Sequence, residues 1–210
     1  MLGQPLKFFV VFFVVVEPVS LIPLFTGLTA GAASAYKRRM ALKAASISAI
    51  ILVLCALGGA AFLRLMGISL EAFRIFGGLL LFLLSLEMVF ARESGTRTSS
   101  SEAAESRRRA DISVFPLAFP FIAGPGALAT ILLWFGPLHF GTDARLFGAY
   151  LVAVMLVLAI ALVLMMLADP LMRVIGVTGA NVASRLLGVV LGALAVQFVL
   201  DGLRQTFALS

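Results

Sequence analysis

The stretch Val152–Leu167, VAVMLVLAIALVLMML, contains no charged side chain and no hydroxyl or amide. A helix made from it is apolar on every face, unlike the one-sided helices of soluble domains. Its unbroken hydrophobicity also excludes a strand of an outer-membrane barrel, which alternates apolar and polar residues. Extended to 146–168, the run reaches the ~20 residues that a helix needs to cross ~30 Å of hydrocarbon. Five more windows of this kind lie at 6–28, 42–63, 70–91, 112–135 and 184–207. These crossings absorb most of a 210-residue chain that is 62% hydrophobic and 12% charged. Soluble domains carry about 25% charged residues, and here the mean hydropathy is +1.14. The sequence therefore predicts an all-α, polytopic membrane protein with six transmembrane helices. It leaves no room for a soluble catalytic domain, and no enzyme is expected.

The polar residues set topology and exclude several chemistries. The formal net charge is +6, but basic clusters flanking membrane spans report orientation, and no nucleic-acid partner is expected. With six spans, the links after the first, third and fifth share one side, which holds Lys37, Arg38, Arg39, Lys43, Arg92, Arg97, Arg107, Arg108, Arg109, Arg173 and Arg185. The other side holds Lys7, Arg64, Arg74, Arg145 and Arg204. That bias places the first side in the cytoplasm and both termini outside. An apolar run followed by Ala30-Gly31-Ala32 imitates a secretory signal. Glu17 and two prolines interrupt it, however, and Lys37, Arg38 and Arg39 follow it as cytoplasmic flanks do, so it reads as the first span.

Residues 92–111, rich in Ser, Arg and Glu, have no apolar period and read as a flexible cytoplasmic tether between units at 1–91 and 112–210. The Arg107-Arg108-Arg109 run within it is either a solvated cluster or a contact for anionic lipid heads. Cys55 stands alone, excluding an internal disulfide and cysteine-rich zinc sites. His139 has no second histidine to work with, and no GxxxxGK loop is present. No metal or cofactor is expected, and gradients must drive any pumping.

The two halves resemble one another. Arg74-Ile-Phe-Gly77 aligns with Arg185-Leu-Leu-Gly188, and the short links before them are Met66-Gly67-Ile68-Ser69 and Ile175-Gly176-Val177-Thr178. Pro18 falls on Pro125, Phe12 on Phe119 and Leu21 on Leu128. Pro18 and Arg74 are 56 positions apart, Pro125 and Arg185 60. Three spans per repeat is an odd number, so the second half enters the membrane from the opposite side. The expected architecture is two inverted three-helix repeats, common in secondary transporters and found in channels too.

Chemistry concentrates at the midpoints of the first and fourth spans, which read VVVEPVSLIP (14–23) and FPFIAGPGA (119–127). Proline lacks an N–H and clashes with the preceding turn, so Pro18 and Pro23 should break the first span, and Gly124-Pro125-Gly126 the fourth. Irregular backbone at that depth survives where it lines a cavity or is buried in protein. The fourth-span break would present the amides of Gly126, Ala127 and Leu128 to a carboxylate. Glu17, with loosened carbonyls near Pro18, Ser20 and Pro23, suits an ammonium group or a proton. Together they fit a zwitterion. Gly126, Ala127, Ala129 and Thr130 leave room only for a small side chain.

The competing reading is that the prolines kink helices for packing and that Glu17 is a protonated packing residue. Gln197 is either a substrate ligand or an interhelical hydrogen-bond partner, and Ser85 and Glu87 are further candidates to line a cavity. Arg74 and Arg185 are gate residues or snorkelling arginines. The glycine pairs Gly58-Gly59, Gly77-Gly78 and Gly188 with Gly192 read as close-packing positions.

The fourth-span string FPLAFPFIAGPGA (115–127) resembles the signature of the MarC family, also called the neutral amino acid transporter family. EPVSLIPLF (17–25), AFRIFGGLLLF (72–82), Ala195-Val196-Gln197 and Asp201-Gly202 agree with it, so the resemblance covers nearly the whole chain outside the tether. It implies a six-span inner-membrane protein of bacteria or archaea, similar to members proposed to move alanine, glycine and other small neutral amino acids with proton coupling. The family often has Asp or Asn where this chain has Glu17, Gly where it has Ser20, and Thr-Thr where it has Ala129-Thr130. The leading expectation is a proton-coupled transporter working between the two breaks, with the lipid bilayer, a small zwitterionic amino acid and the proton as partners. The alternatives are a non-transporting membrane scaffold or assembly factor, which would need no cavity there, and an efflux route for small apolar compounds, which would need a larger, aromatic-lined one.

Overall fold

The computed structural model describes residues 3–90, 111–138 and 142–207. Almost all of the tether expected at 92–111, and His139, lie outside them. The described chain is helical throughout: α1 (Gly3–Val16), a single 3₁₀ turn (Pro18–Ser20), α2 (Leu21–Leu28), α3 (Ser34–Leu65), α4 (Leu70–Phe90), a loosely wound segment α5 (Ser113–Ile122), α6 (Pro125–Phe135), α7 (Ala144–Met166) and α8 (Ala168–Thr206). Five stretches are long and apolar enough to cross a membrane: Gly3–Leu28, α3, α4, α7 and α8. The pair α5 and α6, bent by 53°, makes a sixth.

Polar residues punctuate these helices where backbone groups run out of partners. Ser69 Oγ accepts the Ala72 N–H at 3.1 Å and caps α4, with Glu71 in its positive first turn. The α3–α4 link closes as a Schellman motif: Ile68 N–H reaches Leu63 O at 2.9 Å, Gly67 N–H reaches Arg64 O at 3.1 Å, and Gly67 supplies the left-handed φ of 69°. Gly176, at φ 65°, plays a related part inside α8, splitting a short opening segment from the long remainder.

Like the fourth, the first span is deeply buried in the bundle. In its most apolar window 61% of residues are buried against other helices, compared with 22% in α3 and in α8, whose outer faces are left for lipid. The first span packs on α7 and α8, the fourth on α3 and α4, and α1 meets α6 directly. The most extensive contact joins α4 to α8. These two run antiparallel: Gly202 lies against Ile75, Gly78 against Ala195 and Val199, and Gly188 against Ser85 and Met88. Between helices in lipid there is no hydrophobic drive to associate, so such backbone approach supplies the attraction.

The two ends differ. At one, rings from α1, α6 and α7 cluster in tilted and edge-on contacts, with Phe8 4.8 Å from Tyr150 and 5.4 Å from Trp134, and Phe135 4.9 Å from Phe147. At the other, Lys37 Nζ bonds Asp169 Oδ2 and Lys43 Nζ bonds Asp111 Oδ2, each at 2.7 Å, tying the first, fifth and third links to one face. Hydrogen bonds from Lys43, and then from Ser113, hold the Asp111 carboxyl well below the usual carboxylate range.

A Cβ on Gly78 would come within 2.9 Å of Ala195 O and 3.0 Å of Val199 N, both backbone atoms, whereas one on Gly58 would meet nothing within 4 Å. Gly78→Ala is therefore expected to cost about 1–3 kcal/mol of overpacking. Gly58→Ala should gain about 0.5–1 kcal/mol through helix propensity. Thermal unfolding of the two variants in detergent checks the pair, and equal melting temperatures would contradict the seam.

Candidate functional site

α1 stops at Val16 because two backbone requirements fail together. Glu17 lies in the left-handed region, at φ 53° and ψ 59°, and residue 18 is a proline with no N–H to give to Val14 O. Glu17 N–H still completes the last helical bond, to Phe13 O at 2.9 Å, and Ser20 N–H then turns back to Glu17 O at 3.1 Å. Pro18, buried, opens the next turn, where its fixed φ is an advantage. Pro23 behaves differently from expectation. It is the third residue of α2, in the first turn, where an absent N–H costs nothing, so it interrupts no helix.

Glu17 is 2% exposed. Its Oε1 accepts the hydroxyl of Ser20, one turn on, and that of Ser184, on α8. A non-glycine residue at positive φ persists when its surroundings over-determine it, and here the side chain is anchored by the turn that follows it and by α8.

The fourth span is irregular over a longer stretch than its Gly-Pro-Gly suggested. Phe115 (φ −125°, ψ 125°) and Phe119 (φ −129°, ψ 130°) are extended, as residues before proline prefer, and each precedes a cis peptide bond. Across each of them one bond reaches five residues back, from Leu117 N–H to Ile112 O at 3.3 Å and from Ala123 N–H to Ala118 O at 2.8 Å. Gly124 is extended, and Pro125 opens α6. Only glycine fits at 124, since a Cβ would stand 2.0 Å from Pro120 O. Leu128 N–H is bonded to Gly124 O at 3.0 Å, which removes it from the expected donors. Gly126 and Ala127 carry the amides that a helix start leaves over.

The two interruptions are neighbours. A Cβ on Gly126 would lie 3.3 Å from Val15 Cγ1, two residues before Glu17, and 3.1 Å from Leu81 Cδ2. Val15, Leu84, Pro120, Gly124, Gly126 and Ala127 are among the residues around a cavity of about 20 Å³, room for about one water. Thr130, fully buried, is committed to the helix, its hydroxyl donating to Gly126 O at 2.9 Å.

Glu17, Pro18, Ser20, Pro23 and Thr130 are not among the walls of this cavity, and the other sequence candidates lie apart from it as well. Gln197 is exposed on α8 and its amide donates to Asp201 Oδ1 at 2.8 Å. Arg74 is half-buried on α4 and Arg185 exposed on α8, and neither makes an ion pair among the described residues. Sequence reading missed Ser184, a serine like several others in the spans until the fold brings it to Glu17. It also missed the irregularity before Gly124, although two Phe-Pro pairs four residues apart were a usable signal.

Ser184→Ala should remove one of two hydroxyls from a buried carboxyl and lower stability by about 1–3 kcal/mol, with Ser184→Thr recovering most of it. Gly124→Ala should cost more than the ~1–3 kcal/mol of ordinary overpacking, because the obstructing atom is backbone. Denaturation of both variants in micelles tests these values, and a Ser184→Ala protein as stable as the parent would contradict the contact with Glu17.

Residues 4–207 match the family described as MarC family integral membrane protein. The chain is 35% identical to the UPF0056 membrane protein YhcE of Escherichia coli strain K12, over 96% of this chain and 92% of the relative. It is 34% identical to a UPF0056 membrane protein of Aquifex aeolicus, over 94% and 91%. With a UPF0056 membrane protein of the archaeon Archaeoglobus fulgidus it shares 31% over 94% and 91%. No solved structure matches the chain. Its apolar helices and these full-length relatives describe an integral, multi-pass membrane protein, and the chain belongs to the MarC family.

Proposed function

We propose that this protein is a secondary transporter of small neutral amino acids of the alanine and glycine kind, coupled to protons and not an enzyme. In this reading it lies in the prokaryotic inner membrane with both termini outside. The observation that carries the proposal is the meeting of two interrupted spans at Val15 and Gly126, with a buried carboxyl two residues away. Backbone irregularity and an ionisable group inside a membrane bundle are both costly, and their usual occasion is a pathway.

The pattern of helix contacts supports inverted repeats. Exchanging the first span with the fourth, the second with the fifth and the third with the sixth maps the pairings of the first span with α7 and α8 onto those of the fourth with α3 and α4. Gly67 and Gly176, matched by sequence, both take positive φ. The two interruptions then become counterparts at the midplane, one presenting Gly126 and Ala127 amides to a carboxylate and the other Val14 and Glu17 oxygens to an ammonium group. The crowding of Gly126 by Val15 and Leu81 favours a small side chain. Glu17 exchanges the coupling proton, with Ser20 and Ser184 reorienting around it. Arg74 and Arg185, each near the start of its span and therefore at opposite membrane faces in antiparallel helices, are assigned to the gates, and Gln197 to a state in which α8 has moved.

A cavity of about 20 Å³ is far smaller than an amino acid, so the arrangement corresponds to a closed state on this reading. The same observation favours the second reading, a non-transporting scaffold. Counterflow of labelled alanine and glycine in liposomes separates them. The transporter gives saturable flux that a proton gradient drives, Glu17→Gln abolishes the drive while the fold persists, and Gly126→Ala slows alanine more than glycine. Absence of flux in folded, reconstituted protein would sink the transporter, and gradient-driven flux in Glu17→Gln would remove Glu17 from coupling.

A further inference from the structure

A second cavity, of about 360 Å³, opens at the end where the first and fifth links meet, away from both interruptions. Its walls include Thr26, Gly31, Lys37, Asp169, Met172 and Arg173. It is the size of small-molecule sites, and its charge is unbalanced. Lys37 and Asp169 neutralise one another across 2.7 Å, with the lysine side chain the more covered at 20% exposure against 46%. Arg173 lies one turn beyond Asp169 on α8, exposed, and makes no ion pair among the described residues. Two cations against one carboxylate leave the pocket one positive charge.

The wall also holds a polar group without a partner. Thr29 and Thr130 donate to carbonyls four residues back, the usual recourse of a helical threonine. The Thr26 hydroxyl is buried beneath this wall and has no partner among the described residues, so it is an unsatisfied group next to the pocket and not one of its surface donors.

The surroundings say what carries the anion. Arg173 is followed by Val174, 85% exposed, and by exposed Ile175 and Val177 around the Gly176 bend. An apolar strip running from a cationic pocket at the end of the spans matches a phospholipid, with headgroup in the pocket and acyl chains along the strip.

The geometry points to a binding site for the phosphodiester monoanion of an anionic phospholipid, held by Arg173 and Lys37 beside Thr26. Guanidinium matches phosphate oxygens in bidentate fashion, and Lys37 bridges phosphate and Asp169. The site does not depend on whether the protein transports anything.

The test is native mass spectrometry of the full chain released from nanodiscs holding equal phosphatidylglycerol and phosphatidylcholine. Retained phosphatidylglycerol should predominate. Arg173→Gln should reduce the retained fraction by about fivefold, the worth of one charge near a membrane surface. Arg173→Lys should restore part of it, and Arg145→Gln, outside the pocket, should leave it unchanged. Equal retention of the two lipids, or an Arg173→Gln protein that is folded by circular dichroism and keeps its phosphatidylglycerol, would overturn the site. Thermal stabilisation by inorganic phosphate alone, with no lipid preference, would overturn the lipid and assign the pocket to a soluble anion.

Discussion

Two costs fall on Glu17. Its left-handed backbone conformation is worth about 1–3 kcal/mol against it, and a carboxyl in the middle of a membrane span at least ~2.5 kcal/mol more. The hydroxyls of Ser20 and Ser184 offset both, because they fix the side chain that the strained backbone presents. The rest of the arrangement follows from that anchorage. Ser20 belongs to the turn that starts the second half of the span. Ser184 belongs to α8, so the interruption in α1 is held by the same helix that closes on α4 through Gly78 and Gly188. Removing the carboxyl would take away the side-chain acceptor shared by Ser20 and Ser184, while the backbone bond from Ser20 N–H to Glu17 O would remain.

Regular and irregular backbone are divided between the spans. α4 and α8 meet along glycines whose Cβ positions are occupied by a partner's atoms, leaving little freedom to slide. The first and fourth spans instead carry the proline-linked departures from helical geometry, and they touch one another at Val15 and Gly126. A closely packed pair thus lies beside an irregular one, and packed interfaces of this kind hold discrete arrangements instead of deforming gradually.

Much of this was legible in the sequence because hydrophobicity over ~20 residues is a strong local signal. The six windows fall on the described helices, and the interruption at Glu17-Pro18 and the start of α6 at Pro125 were readable from proline chemistry. Where reading failed, the missing information was positional or tertiary. Pro23 looked like a second breaker, but its effect depends on where α2 begins, which is set by Glu17. The second span begins at Ser34, well before its apolar window, because the turns that carry Lys37, Arg38 and Arg39 are helical without being apolar. Gln197 looked suitable as a ligand from residue type alone, while its exposure and its bond to Asp201 depend on which face α8 turns inward. Ser184 meets Glu17 across 167 positions, and nothing local to either residue announces the pair.

α8 joins features that the sequence lists separately. Arg173 precedes its bend at Gly176, and Ser184 follows by eight residues, about 12 Å of helix. The bend lies between the cationic pocket and the buried carboxyl, and a glycine at positive φ is where a helix can change direction at least cost. The long segment after the bend is held on α4 at Gly188 and Gly202 and brings Ser184 to Glu17, so the bend divides a part of α8 fixed by close packing from a short part that ends at the pocket.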